Sequence, residues 1–321
     1  MLSLANICGS PSSQGHRSGR TGGSTTRVLR RAAPRMPERR DNGEDGRECR
    51  RAAVVVAVAG AVAMAMAMAE RRDVEVPYIA VTALSHVGLV REHNEDSLVI
   101  GPWTLCGTVT QNPQTLVFPF GRPLVVAVAD GLGGQPAGEV ASELVVRQLS
   151  SIGSTLDSPE AIGDALSMCN RAVYSATEGR PELATMGTTV AGALVLADSL
   201  LMFNVGDSKV FHAGQNGLRQ VSVDDSPPPT PGHRTTSAVT QVLGGTRGYN
   251  EITPHIEAFP VSEGDRYLVC SDGLTDPVPT EEIEGLLRVH DDGRAAFELW
   301  RAAIDAGGPD NITLALLRIG A

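Results

Sequence analysis

The stretch that decides the fold is residues 125–134, which read V-V-A-V-A-D-G-L-G-G. Its first five residues form an unbroken apolar run rich in β-branched side chains, which is typical of a strand buried on both faces. The run ends at Asp130, and Gly131 follows it. A carboxylate is therefore held at the mouth of the strand, and the glycines let the backbone turn sharply beside it. An isolated Asp-Gly is also a common turn signal, so this stretch alone leaves a turn and a functional site open.

The same arrangement of an apolar run and an acid at its end recurs along the chain. Acids stand at the ends of the predicted strands as Glu95, Asp96, Asp130, Asp207, Asp272 and Asp310. Glu95 and Asp96 are adjacent at a strand start and point to opposite faces, so we expect one to face the site and the other to brace it. Converging carboxylates repel one another unless hard cations neutralise them, and Mg²⁺ or Mn²⁺ with oxygen ligands fits best. The seven histidines are dispersed, without the spacing of a zinc site.

Composition excludes several classes of protein. The 321 residues are 42% hydrophobic and can bury one large core or two smaller ones. Residues 1–72 carry thirteen arginines and six acids, whereas residues 73–321 carry fourteen basic and thirty-one acidic residues. Such an acidic body repels nucleic acid and anionic membranes, so we expect no nucleic-acid partner. The five cysteines are odd in number and lack C-x-x-C spacing, which favours reduced thiols and a cytoplasmic location.

The amino-terminal part differs in composition from the rest. Residues 1–51 lack apolar periodicity and are predicted to be disordered. Residues 52–69 form an Ala-, Met- and Val-rich apolar run at the lower length limit for a membrane span. Three interpretations stay open, namely a membrane anchor, a leader, or upstream sequence included through a mistaken start codon, and weak hydropathy favours the last two over the anchor. We therefore predict a leader at 1–72 and a folded domain at 73–321.

Periodicity and turn residues predict the main elements of the domain. Strands are expected at 78–85, 97–100, 125–129, 190–196, 200–205, 267–270 and 312–319. Helices are expected at 137–152 and 159–177, hairpins at 101–122 and 210–218, and a surface flap at 224–236.

Six motifs, in this order, resemble those of a known family. They are R-E-H-N-E-D (91–96), V-A-D-G-L-G-G (128–134), M-G-T-T (186–189), N-V-G-D-S (204–208), C-S-D-G-L-T-D (270–276) and G-G-P-D-N-I-T (307–313). The series is similar to the metal-dependent (PPM, type 2C) serine/threonine protein phosphatases of bacteria, over about residues 80–319. The resemblance implies an α+β fold, a four-layer α-β-β-α sandwich in which helices flank two central antiparallel sheets. It also implies a two-metal site for Mn²⁺ or Mg²⁺ at one end of the sandwich.

The same resemblance implies a role for each site residue. Asp130 would bridge both cations, and the Gly131 carbonyl would bind one of them. Asp272 and Asp310 would complete the other cation's ligands. Glu95 and Asp96 would act mostly through metal-bound water, and Asp207 would help to hold a third, weaker cation. Arg91 would hold the substrate phosphate, and Asn311 would orient Asp310; Arg91, Asp130 and Asp272 are the expected catalytic residues.

The implied reaction is hydrolysis of phosphoserine or phosphothreonine in proteins by a metal-activated water, in opposition to a Ser/Thr protein kinase, by a monomer. Two alternatives stay open: a metallohydrolase of a small phosphorylated metabolite or nucleotide, and a non-catalytic binding module of the same fold. The chain departs from the family at Leu132, where eukaryotic members carry a histidine. Two further departures are Lys209 in place of an arginine and Asp225 in place of a histidine.

Overall fold

The computed structural model describes residues 77–133, 137–228 and 238–320. The predicted leader at 1–72, with its apolar run at 52–69, lies outside these residues, as does the part of the predicted flap at 229–236. Among the described residues, no helix has the length and apolar character needed to cross a membrane.

Two six-stranded sheets form the centre of the domain, and every strand pair in them is antiparallel. Sheet one contains β1 (Tyr78–His86), β4 (Gln114–Pro119), β10 (Lys209–Gly214), β11 (Gly217–Gln220), β14 (Arg266–Cys270) and β15 (Ile312–Gly320), in the order β11-β10-β14-β15-β1-β4. Sheet two contains β2 (Ser97–Ile100), β3 (Trp103–Cys106), β5 (Leu124–Ala129), β8 (Val190–Val195), β9 (Ser199–Val205) and β13 (His255–Pro260), in the order β13-β9-β8-β5-β2-β3. A small third sheet joins β6 (Gly131–Leu132), β7 (Gly187–Thr188) and β12 (Leu243–Gly244).

Helices cover the outer face of each large sheet. They are α1 (Ala137–Ile152), α2 (Pro159–Ala176), α3 (Asp272–Thr275), α4 (Thr280–Val289) and α5 (Asp292–Asp305). The apolar stripes of α1 and α2 pack on sheet two, with Val145, Leu149 and Leu166 fully buried. Those of α4 and α5 pack on sheet one through Ile283 and Leu299. Because each sheet buries its other face against its partner, the described residues form the four-layer α-β-β-α sandwich that the resemblance implies.

The strand β5 lies in the middle of sheet two, between β2 and β8. All six of its residues are buried, and alternate side chains face the two apolar cores on either side of the sheet. A run buried on both faces has to be apolar throughout, which is why β5 reads as continuous Val and Ala. The next residue, Asp130, is therefore held at the end of a fully buried central strand.

Most predicted elements are confirmed within a residue or two of their predicted ends, including α1 at 137–152 and the hairpin of β10 and β11. The prediction of one hairpin at 101–122 is wrong. The two strands of this segment belong to different sheets, since β3 pairs with β2 and β4 pairs with β1. The segment crosses from one layer to the other, which its Gly and Pro turn signals do not specify.

Candidate functional site: a carboxylate cavity at one end of the sandwich

The predicted acids meet at one end of the sandwich. Asp130 follows β5, Asp207 follows β9, and Asp310 stands just before β15. Because antiparallel neighbours run in opposite directions, strand ends and strand starts lie at the same edge. They surround a cavity of about 150 Å³, whose lining includes Arg91, Glu95, Asp130, Gly131, Asp207, Asp272 and Asp310. Asp96 lies behind this lining, 1% exposed. The structure thus brings seven of the eight predicted site residues to the cavity surface and places the eighth beneath it.

Burial changes the acidity of these carboxyl groups. Desolvation, reinforced by the charges of Asp272 and Asp310, raises the pKa of Asp96 to about 7. Desolvation and then the charge of Asp272 raise the pKa of Asp207 to about 7. The pKa of Asp130 lies well above its ordinary value, because of burial first and then the charge of Asp96. Burial likewise raises the pKa of Asp272, with the charge of Asp310 adding to it. The site therefore holds carboxylates close together at an electrostatic cost.

Two carboxylate oxygens of the site have no hydrogen-bond partner. Among the described residues, Asp96 Oδ1 and Asp272 Oδ1 are buried without one. Unsatisfied buried oxygens are rare in folded proteins, and a bound ion or water commonly explains them. An all-oxygen donor set with several negative charges suits Mg²⁺ or Mn²⁺. No three His, Cys, Asp or Glu side chains of residues 77–133, 137–228 and 238–320 stand together as a formed metal cluster. The donor chemistry fits a divalent cation, although the carboxylates do not form a closed coordination shell.

The predicted phosphate-binding residue is engaged with one of the acids. Arg91 Nη2 donates to Asp310 Oδ2 at 2.6 Å, and the two side chains are 52% and 32% exposed. Partial burial acts to lower the pKa of Arg91, but the Asp310 carboxylate outweighs it and the pKa is raised. The guanidinium therefore stays charged and lies at the cavity, beside the acids.

Close packing explains the glycine that follows Asp130. A Cβ at Gly131 would lie 2.3 Å from the Gly138 carbonyl oxygen and 2.7 Å from the Glu95 carbonyl oxygen. Such distances are far inside van der Waals contact, so any side chain would push α1 and the loop before β2 away from the site. Gly131 thus lets three segments meet at the cavity.

Three hydroxyl groups hold Asp130 and Asp96 in place. No role for these hydroxyl groups follows from the sequence alone. Thr188 Oγ1 donates to the Asp130 carbonyl oxygen at 2.8 Å, and the Asp130 amide donates to Thr189 Oγ1 at 3.2 Å. Ser271 Oγ donates to Asp96 Oδ2 at 2.9 Å. The M-G-T-T motif is the signal in the sequence that points to the two threonines, but the hydrogen bonds themselves depend on the pairing of β6 with β7.

The expected role of Asn311 needs a correction. The side chain of Asn311 does not bind the Asp310 carboxylate. The backbone amide of Asn311 donates to Asp310 Oδ1 at 2.8 Å. The side-chain amide instead donates to the carbonyl oxygens of Val87 and His93, at 2.9 Å each, and its Oδ1 accepts from the Glu95 amide at 2.7 Å. Asn311 therefore ties down the loop of residues 87–95, which carries Arg91.

The two other departures from the family make local contacts. Lys209 Nζ lies 2.8 Å from Asp224 Oδ2 and donates to the Asp207 carbonyl oxygen at 2.9 Å. Asp225 accepts from the Gly206 amide at 2.9 Å and lies 2.9 Å from His255 Nε2. Both contacts support the turn that carries Asp207.

Comparison with known proteins identifies the family. The sequence profile described as protein phosphatase 2C matches residues 115–307. The chain is 33% identical over 251 residues to the serine/threonine protein phosphatase PstP of Mycobacterium tuberculosis, which covers 72% of this chain and 43% of the relative. The chain thus spans less than half the length of that relative. It is 30% identical over 250 residues to the serine/threonine phosphatase stp of Listeria welshimeri, with 72% of this chain and 92% of the relative covered.

A solved structure agrees with the sequence relatives. It is described as the catalytic domain of PstP in complex with two manganese ions, and its similarity covers 76% of this chain and 100% of that chain. The TM-score is 0.62 at 30% sequence identity. The profile match, the relatives and this fold, found together with the carboxylate cavity, show that the chain belongs to the protein phosphatase 2C family.

Proposed function

We propose that this protein removes phosphate from phosphoserine and phosphothreonine residues of proteins, with two Mn²⁺ or Mg²⁺ ions in the carboxylate cavity. The observation that carries the proposal is the convergence of Asp130, Asp272 and Asp310 on one cavity beside the charged guanidinium of Arg91. Relatives named as Ser/Thr protein phosphatases support the substrate class.

The residues proposed to hold the two cations are Asp130, Asp272, Asp310 and the carbonyl of Gly131. Glu95 and Asp96 are proposed to act through water, and Asp207 to help hold a third, weaker cation. When bound, divalent cations supply an activated water as nucleophile and neutralise charge on the phosphoryl oxygens.

The chain's own groups orient the substrate. The planar fork of Arg91 matches two oxygens of a phosphate, and Asn311 holds the loop that carries it. Leu132 lines the cavity and has no proton to give, so the leaving oxygen would take its proton from water or from another group of the site.

The cysteine and serine next to Asp272 are unsuited to form a covalent intermediate. Burial raises the pKa of the Cys270 thiol to about 12, and Ser271 is fully buried and donates to Asp96. Direct attack by water, without a phosphoenzyme, is therefore the proposed course of the reaction.

Asp130→Asn and Asp272→Asn test the proposal. Each substitution keeps the shape of the side chain and removes its charge, so we expect kcat on a phosphothreonine peptide with Mn²⁺ to fall by roughly 10²–10³-fold. Asp157→Asn changes an exposed acid in the loop before α2 and serves as the control. A chelator should abolish turnover and added Mn²⁺ should restore it, whereas undiminished turnover of either variant would contradict the proposal.

The alternative of a small-molecule phosphohydrolase has a direct test. The full chain is assayed on the phosphothreonine peptide and on a panel of nucleotides and sugar phosphates. We expect kcat/KM for the peptide to exceed that for the panel, because a cavity of about 150 Å³ is smaller than the pockets that usually enclose small-molecule ligands. The reverse order would favour the metabolite phosphatase.

We also propose a Ser/Thr protein kinase as the opposing enzyme, because phosphorylated Ser and Thr residues are products of such kinases.

A monomer in the cytoplasm is proposed for the domain at 73–321. Light scattering on the purified full chain tests the monomer, and an oligomeric mass would overturn it. No nucleic-acid partner is proposed, because the domain carries thirty-one acids against fourteen basic residues.

A further inference from the structure

A second cavity lies at the end of sheet one that is opposite to the carboxylate cavity. The strand β14 ends just before Asp272, and β15 begins just after Asp310. The lining of the second cavity includes Arg266, the first residue of β14, and Arg318, near the far end of β15. At about 3.3 Å per strand residue, Arg266 and Asp272 lie roughly 20 Å apart. The two cavities are therefore separate sites.

The lining of this second cavity, called here the basic cavity, carries a cluster of positive charge. It has a volume of about 460 Å³ and is lined by Arg266, Arg288, Arg318 and His290, with Glu284 as the one acid among its described lining residues. The domain at 73–321 as a whole holds thirty-one acids against fourteen basic residues. Its volume is within the range of pockets that hold small ligands, and its charge attracts anions.

One of these arginines is buried and only partly paired. Arg266 is 6% exposed. Its Nε lies 2.6 Å from Asp292 Oδ1, and its Nη1 donates to the Leu287 carbonyl oxygen. Among the described residues, its Nη2 is buried with no hydrogen-bond partner. A buried guanidinium nitrogen without a partner is rare in folded proteins, and a bound ion or water commonly explains it.

A single carboxylate serves two of the arginines. Arg318 Nε and Nη2 donate to Asp292 at 2.6 and 3.0 Å, so Asp292 pairs with Arg318 and with Arg266 at once. One negative charge thus faces two positive charges. The pKa of Arg266 is lowered, because of burial first, and the charge of Arg318 acts in the same direction while Asp292 opposes it. The pair keeps an excess of positive charge, to which exposed Arg288 adds.

The lining indicates the chemistry of the anion. The planar fork of an arginine matches two oxygens of a phosphate, and a phosphate carries enough charge to offset the excess. The cavity is larger than a single phosphate needs, and Ala213, Leu218 and Leu287 give part of its lining an apolar character. A small organic group attached to the phosphate therefore has apolar contacts to make.

We propose that the basic cavity is a binding site for a phosphoryl group, free or carried by a small organic molecule, held by Arg266, Arg288 and Arg318. The site goes beyond the proposed hydrolysis and does not depend on it, because the two cavities share no lining residue.

Calorimetric titration of the full chain with Mg²⁺ tests the site. The two probes are inorganic phosphate and butylphosphonate, whose P–C bond is not hydrolysed. In Arg288→Ala we expect the dissociation constant of the weakened site to rise at least about tenfold, because a charge-assisted hydrogen bond is lost. Butylphosphonate that binds at least about threefold more tightly than phosphate would identify an organic phosphate as the ligand, and equal affinity would identify free phosphate.

Arg219→Ala is the matched control, because Arg219 is an exposed arginine of β11 that does not line the basic cavity. It should bind both probes as the wild-type protein does. Arg266→Lys keeps the charge but loses the fork, so it should also weaken binding. Circular dichroism shows whether each variant is folded, and Arg288→Ala decides the question if Arg266→Lys is not.

Three results would each overturn the site. The first is a wild-type protein that binds neither probe. The second is equal weakening in Arg288→Ala and Arg219→Ala, which would indicate general charge attraction. The third is binding that Arg91→Ala removes and Arg288→Ala leaves unchanged, which would place the anion in the carboxylate cavity. Turnover of a phosphothreonine peptide is measured separately, so failure of the phosphatase function would not be mistaken for failure of this site.

Discussion

At the scale of single residues, the pair of Arg91 and Asp310 shows how the site handles charge. The Asp310 carboxylate occupies part of the guanidinium fork at 2.6 Å. A phosphate presents the same planar pair of oxygens with more negative charge. On the proposed function, a phosphorylated substrate would compete with Asp310 for Arg91, and release of Asp310 would leave its carboxylate free to bind a cation.

Replacement of Arg91 tests this competition. We expect Arg91→Ala to lower kcat/KM on a phosphothreonine peptide by roughly 10–10²-fold, mainly through KM, because a charge-assisted bidentate contact is lost. Arg91→Lys should recover part of the loss, since an ammonium keeps the charge but not the fork. Steady-state kinetics measure both effects, with the exposed Arg122→Ala as control. An alanine variant with wild-type KM would refute the assignment.

At the scale of elements, one side chain ties the loop of residues 87–95 to β15. Asn311 makes three hydrogen bonds to this loop and is only 5% exposed. No aliphatic or acidic residue of similar size supplies both the donors and the acceptor. The position of Arg91 therefore depends on the side-chain amide of Asn311, which binds the backbone of the loop on both sides of Arg91.

Asn311→Ala should therefore destabilise the fold and loosen the loop. Loss of three hydrogen bonds, with buried partners left unpaired, is expected to lower the free energy of unfolding by roughly 2–4 kcal/mol. Urea unfolding followed by circular dichroism measures it, and KM should rise in parallel because Arg91 is no longer held. Asn112→Ala, at an exposed position before β4, should change neither quantity. A stable variant with a raised KM would separate the two roles.

Buried strands and their terminal acids could be predicted, because an apolar run followed by Asp is a local signal. The partners of β3 and β4 could not, since pairing across 101–122 depends on contacts far apart in sequence. Neither α4 nor α5 is predicted from the sequence, and α5 buries Glu298 on its packed face between Arg294 and Arg301. A charged residue at a packed position interrupts the apolar stripe from which a helix is predicted. The same limit applies to Ser271, whose bond to Asp96 exists only after β14 and β2 meet.

At the scale of the whole molecule, the carboxylate cavity makes stability depend on pH. Asp96 and Asp207 have ordinary pKa values of 3.8 that burial and neighbouring charges raise to about 7. Each group binds a proton more tightly in the folded protein than in the unfolded chain. Its contribution to stability is therefore complete below about pH 3.8 and is lost as pH rises through about 7.

Without divalent cations, we expect the free energy of unfolding to fall by roughly 2–4 kcal/mol between about pH 6 and pH 8. Urea unfolding in the presence of a chelator measures this fall. Added Mn²⁺ should remove it, because a bound cation favours the charged carboxylates. Asp207→Asn should flatten the dependence, since the amide does not titrate. A metal-free protein that is equally stable at both pH values would contradict the electrostatic account of the site.

The inert thiols of the described domain have a consequence for its behaviour in an oxidising environment. Cys169 and Cys270 are buried, with pKa values raised to about 12, and burial also raises the pKa of Cys106. Peroxide attacks thiolates, and these groups remain protonated. Phosphatases that use a cysteine nucleophile are silenced by oxidation of that residue. On the proposed function, a hydrolase built on carboxylates would keep removing phosphate under oxidising conditions that switch such enzymes off.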